Sequence, residues 1–466
     1  MLFNSLEFII FFPLVTVSYF LVPHTYRWIH LLLASCIFYA AFIPSYLLIL
    51  FLLILIDYSA GILIENSVSK KRWLVLSILA NLGLLGLFKY YNFFITNINE
   101  LTGSQLILLY WALPIGLSFH TFQSLSYTIE VYRGRQKAVR HLGYYALYVM
   151  FYPQLVAGPI ERPGHLIPQL FKRHPFSSRN LYEGLRLMAW GFFKKTVIAD
   201  RVGEYVDAVF ANPSAMNGGN IWLAVFFFSI QIYADFSGYS DIATGSARCM
   251  GFDLVINFNR PYQAISIRDF WRRWHISLSS WFRDYVYIPL GGNRKGLLRK
   301  NLNLLFTFII SGFWHGAGWT FVGWGFLHGI YVLIYDGLSK IRERFRVPVV
   351  IGWLLTGLCV GFAWIFFRAT SMNDALVMIE RSTDLTGVNF ETLTSVKTPS
   401  IQYGRLSLLF ITTSLLYMFL IEKNTNPILT NLNRKKITDI SVFVSALLLI
   451  IFFGVFHRTS FIYFQF

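Results

Sequence analysis

The sequence FWRRWHISLSSWFRDYVYIPLGG, from Phe270 to Gly292, mixes arginines, a histidine and tryptophans in the middle of a largely apolar chain. Two similar stretches flank it, YADFSGYSD from Tyr233 to Asp241 and SGFWHGAGW from Ser311 to Trp319. Charged and polar groups inside a bilayer are costly, and they are retained there mainly where they serve a function. These stretches therefore mark the region where we expect chemistry, with His275 and His315 as its two histidines.

The composition predicts an all-α polytopic membrane protein. The 466 residues are 55% hydrophobic and 14% charged, whereas about 25% charged residues are usual in a soluble domain. Long apolar runs recur from end to end. The first run, Phe8 to Leu21, follows Glu7 instead of a basic region and precedes no small-residue cleavage site, so we interpret it as a span. We find no repeat, linker or low-complexity tract, and we predict one membrane-embedded domain over residues 1–466.

The net charge of +17 would favour nucleic-acid binding in a soluble protein. In a membrane protein, basic residues instead mark cytoplasmic loops, so we expect the lipid bilayer and no nucleic acid as a partner. A basic cytosolic face would also attract an anionic substrate or lipid. The basic clusters are Lys70–Arg72, Arg133–Arg140, Lys172–His174, Arg260–Lys300, Lys340–Arg346 and Arg434–Lys436.

Placing these clusters in the cytosol predicts about 11 transmembrane helices, with the N-terminus outside. Spans are expected near 8–22, 28–43, 45–64, 73–95, 106–132, 181–203, 220–236, 349–368, 406–421 and 438–456. The segment 142–160 lies between two basic clusters and contains Pro153, which favours a broken, re-entrant element. The outer segment 371–404 is mildly acidic and includes a predicted amphipathic helix from Asn373 to Arg381.

The stretch 237–300 is too polar to span and too aromatic for a solvated loop, so we predict short interfacial helices there. The apolar run 301–313 follows and holds 13 residues. Such a run reaches about 20 Å, less than the ~30 Å of a hydrocarbon core. Because the next apolar run, 319–337, returns to a basic loop, His315 is expected at a helical turn inside the membrane.

Each histidine has two interpretations. An imidazole in an apolar wall can take a proton from a hydroxyl, and the glycines after His315 would let a substrate approach closely. The alternative for His315 is a packing role. For His275 the alternatives are the polar floor of a cavity and an interfacial helix with Arg and Trp at headgroup level.

Other candidate groups are less specific. Asp235 and Asp241 could orient a histidine, bind a cation or pair with an arginine, and the arginine pair is favoured. The three cysteines and the remaining histidines lack metal spacing. The sequence also lacks a G-x-S-x-G elbow, a Walker loop and an H-E-x-x-H motif. We therefore expect neither a metal nor a tightly bound cofactor.

The chain resembles the membrane-bound O-acyltransferase (MBOAT) superfamily, and within it the bacterial branch that acetylates polysaccharides such as alginate. The D-alanyl transfer proteins of teichoic acids are a weaker likeness. The resemblance covers nearly the whole chain through Leu113–Gly134, Phe151–Arg162, Tyr233–Gly245, Asn259–Gly296, Phe313–Gly329, Phe362–Ala369 and the terminal FIYFQF at Phe461–Phe466.

The resemblance implies a ring of tilted helices around a tunnel, in the bacterial cytoplasmic (inner) membrane. It makes His315, in the WHG motif, the catalytic residue and His275, in the RWHxS motif, the second site residue. His275 could orient His315, steady the acyl carbonyl or position the acceptor. Arginine suits the phosphates of a CoA donor. The candidates for binding the donor or substrate are Arg272, Arg273, Arg283, Trp314, Asp235 and Asp241.

The resemblance also implies acetyl-CoA or a similar acyl donor as a substrate, delivered from the cytosol. The receiver would be an extracytoplasmic acetyltransferase of the serine-hydrolase (SGNH) type that modifies the polysaccharide, so this chain would meet the polymer indirectly. The expected function is O-acetylation of an exopolysaccharide such as alginate. Peptidoglycan, cellulose and teichoic acid are alternative acceptors. A transporter and a non-enzymatic scaffold of a polysaccharide synthase are alternative classes, although we see no inverted repeats of the transporter kind.

Overall fold

The computed structural model describes residues 1–339, 347–394, 396, 398–399, 404–424, 436–456 and 461–462. These residues form helices joined by turns and loops and contain no strand, which confirms the predicted all-α class. The basic clusters at 340–346 and 434–435 lie outside the described residues, as do residues 463–466 of the last motif.

Twenty α-helices are found in the described residues. They are α1 (Leu6–Leu21), α2 (Arg27–Ala40), α3 (Tyr46–Asn66), α4 (Lys70–Leu85), α5 (Tyr91–Thr102), α6 (Leu117–Tyr132), α7 (Leu142–Met150), α8 (Pro163–Phe171), α9 (Ser178–Phe192), α10 (Asp200–Ala211), α11 (Gly218–Cys249), α12 (Ile267–Arg273), α13 (Ile276–Phe282), α14 (Gly296–His315), α15 (Trp319–Gly337), α16 (Val349–Arg368), α17 (Met372–Arg381), α18 (Phe390–Thr394), α19 (Arg405–Asn424) and α20 (Lys436–Phe453).

Five helices in the described part of the chain are long and apolar enough to cross a membrane. They are Tyr46–Asn66, Lys70–Thr102, Gly218–Cys249, Val349–Arg368 and Arg405–Lys423. The second of these joins α4 and α5 through a π-helical turn at Gly86–Tyr90. The chain is a multi-pass membrane protein, while the count of about 11 spans and the tunnel stay predictions.

Two predicted spans have different bounds in the structure. The helix expected over 106–132 begins only at Leu117, after Pro114 and after Gly116, whose φ of 77° is left-handed. The span expected over 220–236 continues to Cys249, so the prediction of interfacial helices was wrong for residues 237–249. Polar side chains such as Ser237 and Asp241 are buried within the protein there, and a polar residue that is enclosed by protein need not end a helix.

The helix that carries His315 is longer than its apolar run. Helix α14 has 20 residues, which reach about 30 Å, because it starts in the basic residues before position 301. The turn predicted at His315 is confirmed, since α14 ends there and α15 begins at Trp319.

The predicted break in segment 142–160 is confirmed. Helix α7 ends at Met150, and the chain then runs without α-helix until α8 starts at Pro163. Residues 151–161 are buried, so this irregular backbone is enclosed by protein. Gln154 in this segment and Gln123 in α6 both donate from their side-chain amides to the Tyr148 carbonyl at the end of α7.

The outer segment contains the predicted short helix. Helix α17 spans Met372–Arg381, and the hydroxyl of Ser371 caps it by accepting from the Asp374 amide at 3.0 Å. Its buried side chains are Ala375 and Met378, whereas Leu376 is exposed.

The described residues divide into two compact units. The first comprises Met1–Met188 with Tyr239–Val255, and the second comprises Ala189–Gly238 with the described residues of Ile256–Phe466. Both candidate histidines belong to the second unit. The single domain over 1–466 stays a prediction.

Candidate active site

His275 lies at the junction of α12 and α13 with a backbone that few side-chain-bearing residues adopt. Its φ of 41° and ψ of 56° are left-handed. Two backbone hydrogen bonds brace the junction against the segment 257–259. The Ile276 amide donates to the Asn257 carbonyl at 2.9 Å, and the Asn259 amide donates to the Arg273 carbonyl at 2.9 Å. The strained position is thus held by its neighbours.

The ring of His275 is enclosed by aromatic side chains. It is fully buried, the Phe236 ring lies edge-on at a centroid distance of 4.6 Å, and the Trp314 ring lies at 6.4 Å. This residue is outside the five candidate spans, and burial lowers the pKa of its imidazole to about 3. The ring is therefore neutral near pH 7.

His315 is the last residue of α14 and points into the same aromatic cluster. It is 4% exposed, and its ring lies 4.9 Å from Trp314, 5.2 Å from Trp324 and 5.3 Å from Phe367. Trp314 contacts both histidine rings, so the structure brings the two histidines of the sequence into one neighbourhood.

Glycines let α14, which ends at His315, and α15 pack backbone against backbone. A Cβ added at Gly312 would lie 2.2 Å from the Phe321 carbonyl, and one added at Gly325 would lie 2.3 Å from the Phe308 carbonyl. At the turn, a Cβ on Gly316 would meet the Phe321 ring at 2.1 Å. The close approach of α14 and α15 therefore fixes the end of α14.

A third histidine, His328, lies in this cluster and had no predicted role. It is fully buried on α15, its ring lies 4.8 Å from Trp324, and its Nδ1 accepts a hydrogen bond from the Trp271 indole at 3.3 Å. The signal for this residue in the sequence is its spacing, since Trp324 and His328 are four residues apart on one helix face.

Asp235 pairs with a lysine, so the favoured arginine partner was wrong. Lys195 Nζ lies 2.9 Å from Asp235 Oδ1 and 2.8 Å from Asp200 Oδ1. The other oxygen of Asp235 accepts from the Ile462 amide at 2.9 Å. All three side chains are buried, and a buried ion pair of this kind needs such additional hydrogen bonds.

The neighbouring lysine extends this polar cluster. Lys194 Nζ donates to the Ser237 hydroxyl at 2.9 Å, and the Tyr233 hydroxyl donates to the Glu422 carboxylate at 2.8 Å. Both lysines belong to a π-helical turn, Phe193–Ala199, a geometry that is often found at functional sites. The signal in the sequence is a Lys-Lys pair inside an expected span, 181–203.

The three candidate donor-binding arginines differ in their surroundings. Arg273 pairs with Asp269 at 2.9 Å and Arg283 pairs with Asp284 at 2.8 Å, while Arg272 is exposed. Donor binding by these arginines stays a prediction. Asp241 is buried in the first unit and Asp235 in the second.

The arrangement suits proton transfer between enclosed groups. Two buried imidazoles near one tryptophan can serve as a base and as a second polar group, which is what deprotonation of an attacking hydroxyl requires. Among the described residues, no group of three or more His, Cys, Asp or Glu side chains could hold a metal ion.

Comparisons with known proteins agree with this chemistry. A model of the membrane-bound O-acyltransferase family matches residues 73–373. The chain is 37% identical over 426 residues to the peptidoglycan O-acetyltransferase of Helicobacter pylori, covering 84% of this chain and 81% of that protein. It is 38% identical over 422 residues to the probable alginate O-acetylase AlgI of Pseudomonas aeruginosa, covering 88% and 80%. The teichoic acid D-alanyltransferase of Bacillus subtilis is 27% identical over 246 residues, covering 50% and 61%.

Proposed function

Because this chain belongs to the membrane-bound O-acyltransferase family and is an O-acyltransferase, we propose that it moves an acetyl group from a cytosolic CoA thioester to an extracytoplasmic acceptor. The acetyl group would then serve O-acetylation of an envelope polysaccharide such as alginate. The observation that carries the proposal is the pair of buried histidines, His275 and His315, around Trp314.

The proposed step is acyl transfer with His315 as the base. A ring nitrogen of His315 takes the proton of the acceptor hydroxyl while the hydroxyl oxygen attacks the thioester carbonyl carbon. The carbon–sulfur bond then breaks, the oxygen keeps the acetyl group, and the proton passes to the leaving thiolate. His275 would orient His315, steady the carbonyl or position the acceptor.

The relatives differ in the acceptor polymer that their names give. One relative is named for alginate and another for peptidoglycan. Each is 37–38% identical to this chain, and the match covers four fifths or more of each relative. We therefore propose alginate-type exopolysaccharide first and peptidoglycan as the second candidate. The test offers each polymer, with its own extracytoplasmic partner, to the reconstituted system. The polymer that gains acetyl label is the acceptor.

A separate receiver protein fits the shape of the outer segment. The described residues of 371–404 form only two short helices, α17 and α18, which are too small to hold a polymer chain along its length. We infer an SGNH-type acetyltransferase as the receiver and the bacterial inner membrane as the location. Vesicles with donor on one side and only polysaccharide on the other should then yield no acetylated polymer. Efficient acetylation without a second protein would contradict this part.

Labelled acetyl-CoA and the purified protein test the chemistry. His315→Ala should abolish transfer and donor hydrolysis, and His275→Ala should lower them by about 100-fold or more, the usual scale for a positioned acid–base group. His141→Asn is the control, because this exposed histidine caps α7 and asparagine retains a capping acceptor. Turnover at the wild-type rate in His315→Ala would overturn the assignment of the base.

Donor binding has a separate readout. Reversing the charge of the exposed Arg272 should raise the KM for acetyl-CoA without lowering kcat. The effect should be largest at low salt, because added ions screen exposed charges. An unchanged KM at low salt would remove Arg272 from the donor site.

A further inference from the structure

A cleft in the first unit combines cationic and aromatic side chains and has no role in the proposed reaction. We propose that it binds the phosphate of an anionic phospholipid in the cytosolic leaflet. The cleft is open to solvent and lies where α1 ends, α2 begins and α7 and α8 meet. The lining residues used below are Arg27, Trp28, Tyr144 and Lys172.

The charge of the cleft has one sign. Arg27 and Lys172 are cationic, and none of the ten lining residues is acidic. A phosphate placed here would meet positive groups without a competing carboxylate on the cleft wall. Arginine and lysine are the side chains that bind phosphate oxygens most often in proteins.

Arg27 is fixed in place by neutral groups. Its Nη1 donates to the His174 carbonyl at 2.7 Å, its Nε donates to the Val22 carbonyl at 3.1 Å, and its guanidinium carbon lies 4.7 Å from the centre of the Tyr19 ring. These partners orient the guanidinium but do not neutralise it. A preorganised cation loses little freedom when it binds an anion.

The walls and rim of the cleft favour a lipid over a soluble phosphate. Trp28 and Tyr144 line the walls, and these are the residue types that lie at headgroup level in membranes. Next to them, Phe171 is 48% exposed and the centre of its ring lies 4.1 Å from that of the Tyr144 ring, and Leu21 at the end of α1 is 78% exposed. Exposed apolar groups beside a phosphate site offer contacts to acyl chains that a soluble anion does not have.

The predicted location of the cleft on the cytosolic side of the membrane agrees with an anionic lipid as the ligand. Lys172 begins the basic cluster Lys172–His174, and the cluster Arg133–Arg140 precedes α7. The positive-inside rule places both in the cytosol. The cytosolic leaflet is where anionic lipids attract basic segments next to the membrane.

Native mass spectrometry of the full chain in detergent tests the proposal, with phosphatidylglycerol as the probe and phosphatidylcholine as the neutral lipid. The wild type should retain phosphatidylglycerol in preference to phosphatidylcholine. Lys172→Glu should weaken phosphatidylglycerol binding by about tenfold, as expected for the loss of one charge-assisted contact. Arg173→Glu is the matched control, because Arg173 is exposed and adjacent, is not part of the lining, and gives the same change in net charge.

Three results would overturn the proposal. Equal weakening by Lys172→Glu and Arg173→Glu would mean a diffuse attraction to the basic surface. Equal retention of both lipids by the wild type would remove the phosphate preference. Displacement of the lipid by inorganic phosphate or by CoA at similar concentrations would show a site for soluble phosphates. Lys172→Gln, which keeps a long polar side chain, repeats the test in case the charge reversal disturbs folding.

Discussion

Replacing Gly325 by alanine should disturb the position of His315, although the two residues are ten positions apart. The added Cβ would lie 2.3 Å from the Phe308 carbonyl oxygen and 3.2 Å from Ile309 Cα. Ordinary contact begins near 3.4 Å, so α14 and α15 must separate by about 1.1 Å (3.4 minus 2.3) at this point. The obstacle is backbone, and no side-chain rotation can relieve it. Because α14 ends at His315, the separation should move the imidazole.

The expected change in stability of Gly325→Ala follows from two opposing effects. Alanine gains about 1 kcal/mol over glycine in helix propensity, while overpacking costs about 1–3 kcal/mol. Gly357→Ala isolates the first effect, because this glycine lies in α16 and an added Cβ there meets nothing within 4 Å. Relative to that control, Gly325→Ala should be about 1–3 kcal/mol less stable. A displacement of about 1 Å at a reacting group can lower turnover by about 100-fold.

The assay compares the two variants in the same detergent. Thermal unfolding gives the stability difference, and hydrolysis or transfer of labelled acetyl-CoA gives turnover. If Gly325→Ala unfolds at the same temperature as Gly357→Ala and turns over within a few fold of it, the glycine contact between α14 and α15 does not position His315.

Three further predictions concern the groups around the site and the first unit. The Asn257 side chain accepts a hydrogen bond from the Ser277 hydroxyl at 2.6 Å beside the left-handed His275, and Asn257→Ala removes this acceptor. The variant should lower kcat by about tenfold with KM unchanged, while Asn257→Asp restores kcat. Equal loss of kcat in both variants would contradict a positioning role. Lys195→Met leaves Asp200 and Asp235 buried without their cation and should destabilise the protein by about 3–5 kcal/mol. Thermal unfolding measures this loss, with Lys423→Met as the control. Equal unfolding temperatures for the two variants would refute the prediction. His165 Nδ1 donates a hydrogen bond to Glu161 Oε2 at 2.6 Å, and this bond raises the pKa of His165 above 6.5. The stability that comes from the raised His165 pKa is present below pH 6.5 and is lost as pH rises through that raised pKa. The unfolding temperature of the wild type should therefore fall more steeply above pH 6.5 than that of His165→Ala, and parallel curves would contradict the pairing.

Some features of this protein follow from local sequence and were predicted from it. Apolar composition forces the backbone to satisfy its own hydrogen bonds, so helices were expected and are found. The break after Met150, the turn after His315 and the short helix α17 each have a local signal in proline, glycine or amphipathic spacing. The pairing of His275 with His315 was suggested by their motifs, because both histidines occur in Trp-flanked sequences.

Other features depend on contacts between residues far apart in the chain. Helix α11 continues to Cys249 because its polar residues are enclosed by protein, and composition alone cannot distinguish such a residue from one that faces lipid. Asp235 has a lysine partner because the π-helical turn Phe193–Ala199 brings Lys195 to it. The sequence by itself determined the helical membrane class and the acyltransfer motifs, since hydrophobicity and motif residues are properties of short segments. Only the tertiary structure decided which charges neutralise one another and which rings enclose the histidines, because those contacts form when distant helices pack.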